Sequence, residues 1–318
     1  MSAPPSSADA PGRNRWRSLA WLIPAAILAA AVIVLLAIGF RSTAAGGDFI
    51  RTYPGASELP AGAPVGIPAW LGWQHYLNAL FLVLIVRTGL QVRADARGSH
   101  AWTGRARRGG KPPHRMTLEL WTHLAVDTLW IANGVIYVVV LFATGQWVRI
   151  VPTSWDIVPN AVSAALQYAS LDWPTKNGWV NYNALQLLSY FAVVFLAAPL
   201  AIVTGIRLSS YWPAKWRRAR WYPLGLARAL HYPTMLFFVA FVIVHVTLVL
   251  TTGALRNLNH IYASQDTQSW VGFGIFAAST VLLVLAWFAA RPVLTKPVAQ
   301  LFGEVVKTPP RRQRPPRG

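Results

Sequence analysis

The chain has 318 residues, of which 54% are hydrophobic and only 12% charged, with a formal charge of +19 and no cysteine. Its apolar residues fall into six blocks of membrane-spanning length, which excludes a soluble domain of useful size. The lack of cysteine excludes structural disulfides, thiolate-held iron–sulfur clusters and haem attached through Cys-x-x-Cys-His.

Taken in order, spans are expected near 18–40, 68–91, 118–143, 182–207, 226–252 and 270–290. The first block is long, and Arg41-Ser-Thr-Ala-Ala-Gly-Gly is a weak cleavage site, so it reads as a span and not as a secretory signal. Residues 1–17 read as a disordered basic tail, 18–67 as a first span with its outer loop, and 68–252 as a central core. Residues 253–290 read as an outer loop with a last span, and 291–318 as a second basic tail. Disorder is expected of the first 12 residues and the last dozen, which are rich in Pro, Ser, Ala or Arg. Loop 144–181 is expected to hold a short amphipathic helix around Ala161–Tyr168. No internal repeat stands out; Thr88-Gly89 and Thr204-Gly205 form an echo too short to argue an inverted-repeat transporter.

The basic residues alternate sharply between loops. The N-terminal tail, loop 92–117, loop 208–228 and the tail after 290 carry 22 of the 29 Lys and Arg. This positive-inside pattern predicts a multi-pass protein of the bacterial cytoplasmic membrane with both termini cytoplasmic. Arg105, Arg107, Arg108 and Lys111 are then expected to meet anionic lipid headgroups, and nucleic acid is not an expected partner. Trp70, Trp73, Trp147, Trp179 and Trp270 fall at outer edges, and Trp212, Trp216 and Trp221 at the inner side, as aromatic belts do.

Four histidines lie within spans. His231 and His245 share one span, 14 residues apart, which in a helix is about 21 Å of rise and almost four whole turns, so both leave nearly one face. His245 precedes Gly253 by 8 residues and His75 follows Ile67 by 8, so both lie about 12 Å below the outer surface. His231 precedes Gly253 by 22 and His123 precedes Gly145 by 22, so both lie about 33 Å down. The pattern predicts two pairs, His75 with His245 outside and His123 with His231 inside. A lone intramembrane histidine can hydrogen-bond a carbonyl of a neighbouring helix. Two pairs at matched depths instead point to bis-histidine ligation of two non-covalent b-type haems, one electron carrier near each side of the membrane. His114 competes with His123 for the inner iron, but it sits in the basic loop beside Pro112-Pro113. His100 and His260 read as solvent-exposed loop residues.

A buried Arg87 needs an anion, and two are open to it: a haem propionate, or Asp127, one turn beyond His123. Arg115, Arg207 and Arg228 lie at the inner surface as propionate partners or ordinary anchors, with anchoring expected more of Arg207 than of Arg228, three residues before His231. Asn78 and Asn133 are candidates to orient ligands or to bond between helices. Gly89, Gly134 and Gly205 are candidates for close approach of a cofactor or helix. No Walker-type loop, His-Glu-x-x-His or Gly-x-Ser-x-Gly motif is present.

The run Trp73-Gln-His75-Tyr-Leu-Asn78, continuing to Arg87-Thr88-Gly89, resembles the first haem helix of prokaryotic di-haem cytochrome b subunits, the membrane anchors of NiFe-hydrogenases, formate dehydrogenases and thiosulfate-reductase-like molybdoenzymes. Tyr182-Asn183-Ala-Leu-Gln186 to Tyr190, with Pro199 and Thr204-Gly205, resembles their histidine-free third helix, and His231 with His245 resembles the paired ligands of the last one. The resemblance covers about 70–252. It implies an all-α integral membrane protein of six transmembrane helices, a four-helix haem-binding core plus one extra helix at each end. It also implies a molybdopterin oxidoreductase or hydrogenase as catalytic partner and quinone as electron partner, with Asp127 or His114 available for protonation. The extra first helix reverses the core in the membrane relative to those proteins. Two other functions fit the span count: a stand-alone transmembrane reductase or oxidase of a small acceptor, and a six-span transporter whose histidines relay protons.

Overall fold

The computed structural model describes residues 13–56, 58–94, 98–105, 113–173, 178–213 and 221–308, with side chains from residue 20 onward. The disorder expected of the first 12 residues falls outside them, as does all but the first two residues of the last dozen. Arg107, Arg108, Lys111 and Trp216 lie outside them too.

The architecture is helical, with six helices long and apolar enough to cross a membrane: Ala20–Arg41, Ala69–Ala94, Leu118–Ala143, Ala184–Leu208, Leu224–Thr251 and Val271–Ala289. Their outer surfaces carry large apolar side chains that stay exposed among the described residues, Leu36 at 68% and Val139 at 61% exposure among them. That is the surface a lipid-solvated helix presents. The chain divides into two compact units.

The first unit holds α1 (Arg13–Arg41), α2 (Ala44–Thr52), α5 (Ile157–Ala169) and the first turns of α6 (Ala184–Phe191). The helix begins at Arg13, so residues 13–17 extend α1 and do not belong to a disordered tail. Arginine is a good helix former, and nothing in the run breaks the turn. Helix α5 is the amphipathic helix expected around 161–168; its Ile157 and Ala161 pack with Ala184 and Leu187 in a small apolar core. Arg41 pairs with Asp172. Asn183 and Gln186 make a reciprocal capping box, Asn183 Oδ1 accepting from the Gln186 N–H at 2.9 Å and Gln186 Oε1 from the Asn183 N–H at 3.1 Å.

In the second unit α3 (Ala69–Ala94) packs on α4 (Leu118–Ala143), and α7 (Ala198–Leu208) on α8 (Leu224–Thr251). A π-turn over Ala192–Ala197 joins α6 to α7. Pro199 follows directly, and its missing N–H cannot continue the α-helical ladder, which accounts for a local change of winding at this point.

At one end of this unit, β1 (His100–Gly104) pairs antiparallel with both β2 (Arg115–Thr117) and β3 (Gly303–Lys307), in the order β2-β1-β3. Residues 92–117 and 291–318, expected as a basic loop and tail, are therefore partly joined. Helix α11 (Pro292–Gln300) leads into β3. Trp102, Leu118, Ala299 and Val305 bury together there, with the Trp102 indole N–H donating to the Ala299 carbonyl at 3.1 Å.

At the other end, α9 (Ala254–Leu258) and a π-turn over Asn259–Ala263 form a cap against α3 and α10 (Val271–Ala289). Asn259 is fully buried. Its amide donates to the Thr267 and Ser269 carbonyls and its oxygen accepts the Gly272 N–H at 2.8 Å. This segment was expected as an exposed loop. His260 is buried within it, its Nε2 2.8 Å from Asp266, with Trp179 packed against the ring. Arg256 closes a two-point pair on the same Asp266, which raises its own pKa. His100 lies half-buried in β1 and is not a free loop residue.

Candidate functional site

The structure brings the four span histidines together in two pairs, one near each end of the second unit. At the cap end, His75 of α3 and His245 of α8 face each other with ring centres 6.2 Å apart and planes 54° apart. Aromatic rings hold them there. Tyr262 of the cap meets His75 edge-on at 5.9 Å, Tyr190 meets His245 edge-on at 6.2 Å, and Phe241 stacks on His245 at 5.5 Å, one turn earlier on the same helix. Nδ1 of His75 is buried and has no hydrogen-bond partner among the described residues.

At the sheet end, His123 of α4 and His231 of α8 lie close enough to act on each other electrostatically, and Asp127 is near both. Asp127 Oδ2 is 3.6 Å from His123 Nε2. Each imidazole is held by the same device. Thr88 Oγ1 lies 2.9 Å from Nδ1 of His123, and Thr204 Oγ1 lies 2.9 Å from Nδ1 of His231. Each threonine donates its one proton back along its own helix, Thr88 to Leu84 and Thr204 to Leu200. The hydroxyl oxygen is thus left as acceptor, so Nδ1 carries the ring proton and Nε2 the free lone pair.

The residue after each threonine is glycine. A Cβ at Gly89 would stand 3.2 Å from Cε1 of His123, and one at Gly205 3.3 Å from Cε1 of His231. The Thr-Gly echo, too short to argue an inverted-repeat transporter, is a repeated seat for an imidazole.

Other expected positions fall as follows. Arg87 and Asp127 do not pair: the Arg87 guanidinium bonds the Ala290 carbonyl and lies 5.6 Å from the Trp287 ring, turned toward α10, whereas Asp127 faces the histidines. Asn78 bonds between helices, accepting from the Trp130 indole at 3.1 Å. Asn133 is buried with its amide nitrogen unpartnered. His114 packs on Tyr211, nine residues before His123, and Arg115 is exposed in β2. Arg228 is exposed, and Arg207 is the buried one, donating to the Tyr222 carbonyl at 2.8 Å with Trp212 against its guanidinium. Arg93 covers the ring of Tyr232, beside His231, at 3.9 Å. Sequence reasoning passed over Arg93, Phe241 and Tyr262, since aromatic and basic residues near span ends are ordinary.

Among the described residues no three His, Asp or Glu side chains gather as a metal ion's cage. A bare zinc-type ion needs about three or four protein donors. Two imidazoles per site fit a metal that arrives with its own equatorial ligands, as haem iron does. The cap-end spacing agrees. With each nitrogen about 2 Å from a metal and about 1 Å from its own ring centre, two trans imidazoles place their centres about 6 Å apart. No protein-family model, curated protein or solved structure matches the chain.

Proposed function

We propose that the protein is a membrane di-haem b-type cytochrome. His75 and His245 would hold the cap-end iron, and His123 and His231 the sheet-end iron. The observation that carries this reading is the facing of His75 and His245 across two helices at 6.2 Å. A haem bound at each level supplies a one-electron iron couple.

The chain's own part is to hold, orient and keep dry. Helix α8 contributes one imidazole to each site, 14 residues and about 21 Å of rise apart. Thr88 and Thr204 hold Nδ1 of the sheet-end rings and leave Nε2 as the nitrogen that would donate to a metal. Phe241, Tyr190 and Tyr262 fill the space around the cap-end rings, keeping water from them. Neutral imidazole, with a free nitrogen lone pair, is the form that can donate to iron.

Placement in the bacterial cytoplasmic membrane with both termini inside is part of the same proposal. It is supported by the charge alternation of the loops, and by the pairing of β1 with β3, which joins residues 100–104 to residues 303–307. The sequence resemblance supports a molybdopterin oxidoreductase or hydrogenase subunit as electron partner on one side of the path and quinone on the other.

The test is the purified protein's colour. The expected result is a Soret band, with two haems per chain by pyridine haemochromogen assay. Clearly fewer than two overturns the reading. One observation favours a second reading: Asp127 beside both sheet-end histidines is a grouping that a proton-relaying transporter would use. That protein would be colourless.

A further inference from the structure

We infer that the two sites differ in reduction potential, the sheet-end site being the lower, because Thr88 and Thr204 each take the Nδ1 proton of a sheet-end imidazole in a hydrogen bond. The inference rests on the haem reading above and goes beyond it, assigning the two threonines as positioning and tuning residues.

Three observations set the two ends apart. Both sheet-end rings have a threonine oxygen 2.9 Å from Nδ1. Both threonines are nearly or fully buried, Thr88 at 1% and Thr204 at 0% exposure, and both have their own protons committed to backbone carbonyls. At the cap end the neighbours of His75 and His245 are aromatic, and Nδ1 of His75 is buried without a partner.

An imidazole that shares its N–H proton with an acceptor is a more electron-rich donor through its other nitrogen. A stronger axial donor stabilises ferric over ferrous iron and lowers the potential. Two such ligands act on the sheet-end iron. Asp127 acts in the same direction whenever it is ionised, so its part must be separated from that of the threonines. With the cap-end site higher, a single electron shared by the two sites rests at the cap end.

The experiment is a potentiometric titration of the purified full-length protein, followed in the visible spectrum, on the native chain and on Thr88→Val, Thr204→Val, Thr88→Ser and Thr204→Ser, each with Asp127 and with Asp127→Asn. Valine keeps the shape and removes the acceptor; serine keeps the acceptor. The native protein is expected to show two midpoints. Each valine variant is expected to raise the lower one, leave the upper in place, and keep two haems per chain; each serine variant is expected to restore the native value. His245→Ala, which empties the cap end, is expected to leave the lower midpoint. Two haems with neither midpoint moved by valine, or with the upper one moved, overturn the inference and leave the haem reading intact. A protein without haem overturns the haem reading itself. If valine costs the sheet-end haem, the serine variants decide: binding restored without the native midpoint overturns the inference.

Discussion

Tyr262 meets His75 edge-on, with 5.9 Å between ring centres and the planes at 90°. The tyrosine belongs to the short cap between the last two spans, and the histidine lies inside α3. Their contact makes a connecting segment part of the wall of the cap-end site. Burial, with Tyr76 nearby, pushes the Tyr262 phenol above its ordinary value of 10.0, and burial pushes Tyr168 in the same direction.

A phenol raised on folding binds its proton more tightly in the native state. The stability it contributes is complete below the unfolded value and is lost as pH rises through the folded one. Tyrosinate absorbance is expected to lag in the native protein relative to the unfolded chain above about pH 10. Tyr262→Phe is expected to remove one late-titrating phenol; an unchanged late phase would show that Tyr262 is open to water.

His245→Ala is expected to remove the cap-end haem and keep the sheet-end one, and His123→Ala the reverse. Haem per chain by pyridine haemochromogen is expected to fall from two to one in each. Loss of both haems from either variant, with the fold retained, would contradict separate pairs.

Gly205→Ala is expected to disturb the sheet-end pair alone, since its Cβ would stand 3.3 Å from the His231 ring. Crowding of this kind costs about 1–3 kcal/mol. Gly134→Ala, where the new Cβ meets nothing within 4 Å, is the matched control and is expected to be neutral or slightly stabilising. Thermal unfolding in detergent, with the visible spectrum, reads both.

Asn259→Ala is expected to be the costliest single change in the cap. It leaves the Gly272 N–H and the carbonyls of Thr267 and Ser269 without their partner, at about 1–3 kcal/mol for an unsatisfied buried group. Limited proteolysis is expected to open the segment 254–270 first. A variant as resistant as the native protein would show that α9 and α10 are held by other contacts.

Much of the fold was open to reading from one dimension. A span announces itself by unbroken apolar length, and the six helices lie close to where that length puts them. The histidine pairs were legible because 14 residues on one helix fix two rings on one face whatever the neighbours do. The Thr-Gly echo was visible, but its role as an imidazole seat was not, because two dipeptides say nothing of a partner ring until α3 and α7 are known to lie beside α4 and α8. Strands of three and five residues carry no periodic signal, and β1 finds β3 about 200 residues away. His260 was misread because its burial comes from Asp266, Trp179 and a π-turn, none of which has a local pattern. That Arg207 is buried and Arg228 exposed was not legible, because depth along a helix does not say which side of it is covered.

The pairing of β1 with β3 places a condition on biosynthesis. Four spans thread between those strands, so the sheet cannot close until residue 307 has left the ribosome. Trp102 and Leu118 wait until then for Ala299 and Val305, and Leu118 opens the helix that carries His123. The end of the bundle begun early in translation is therefore completed last. A chain halted before β3 would enter the bilayer with that end still open.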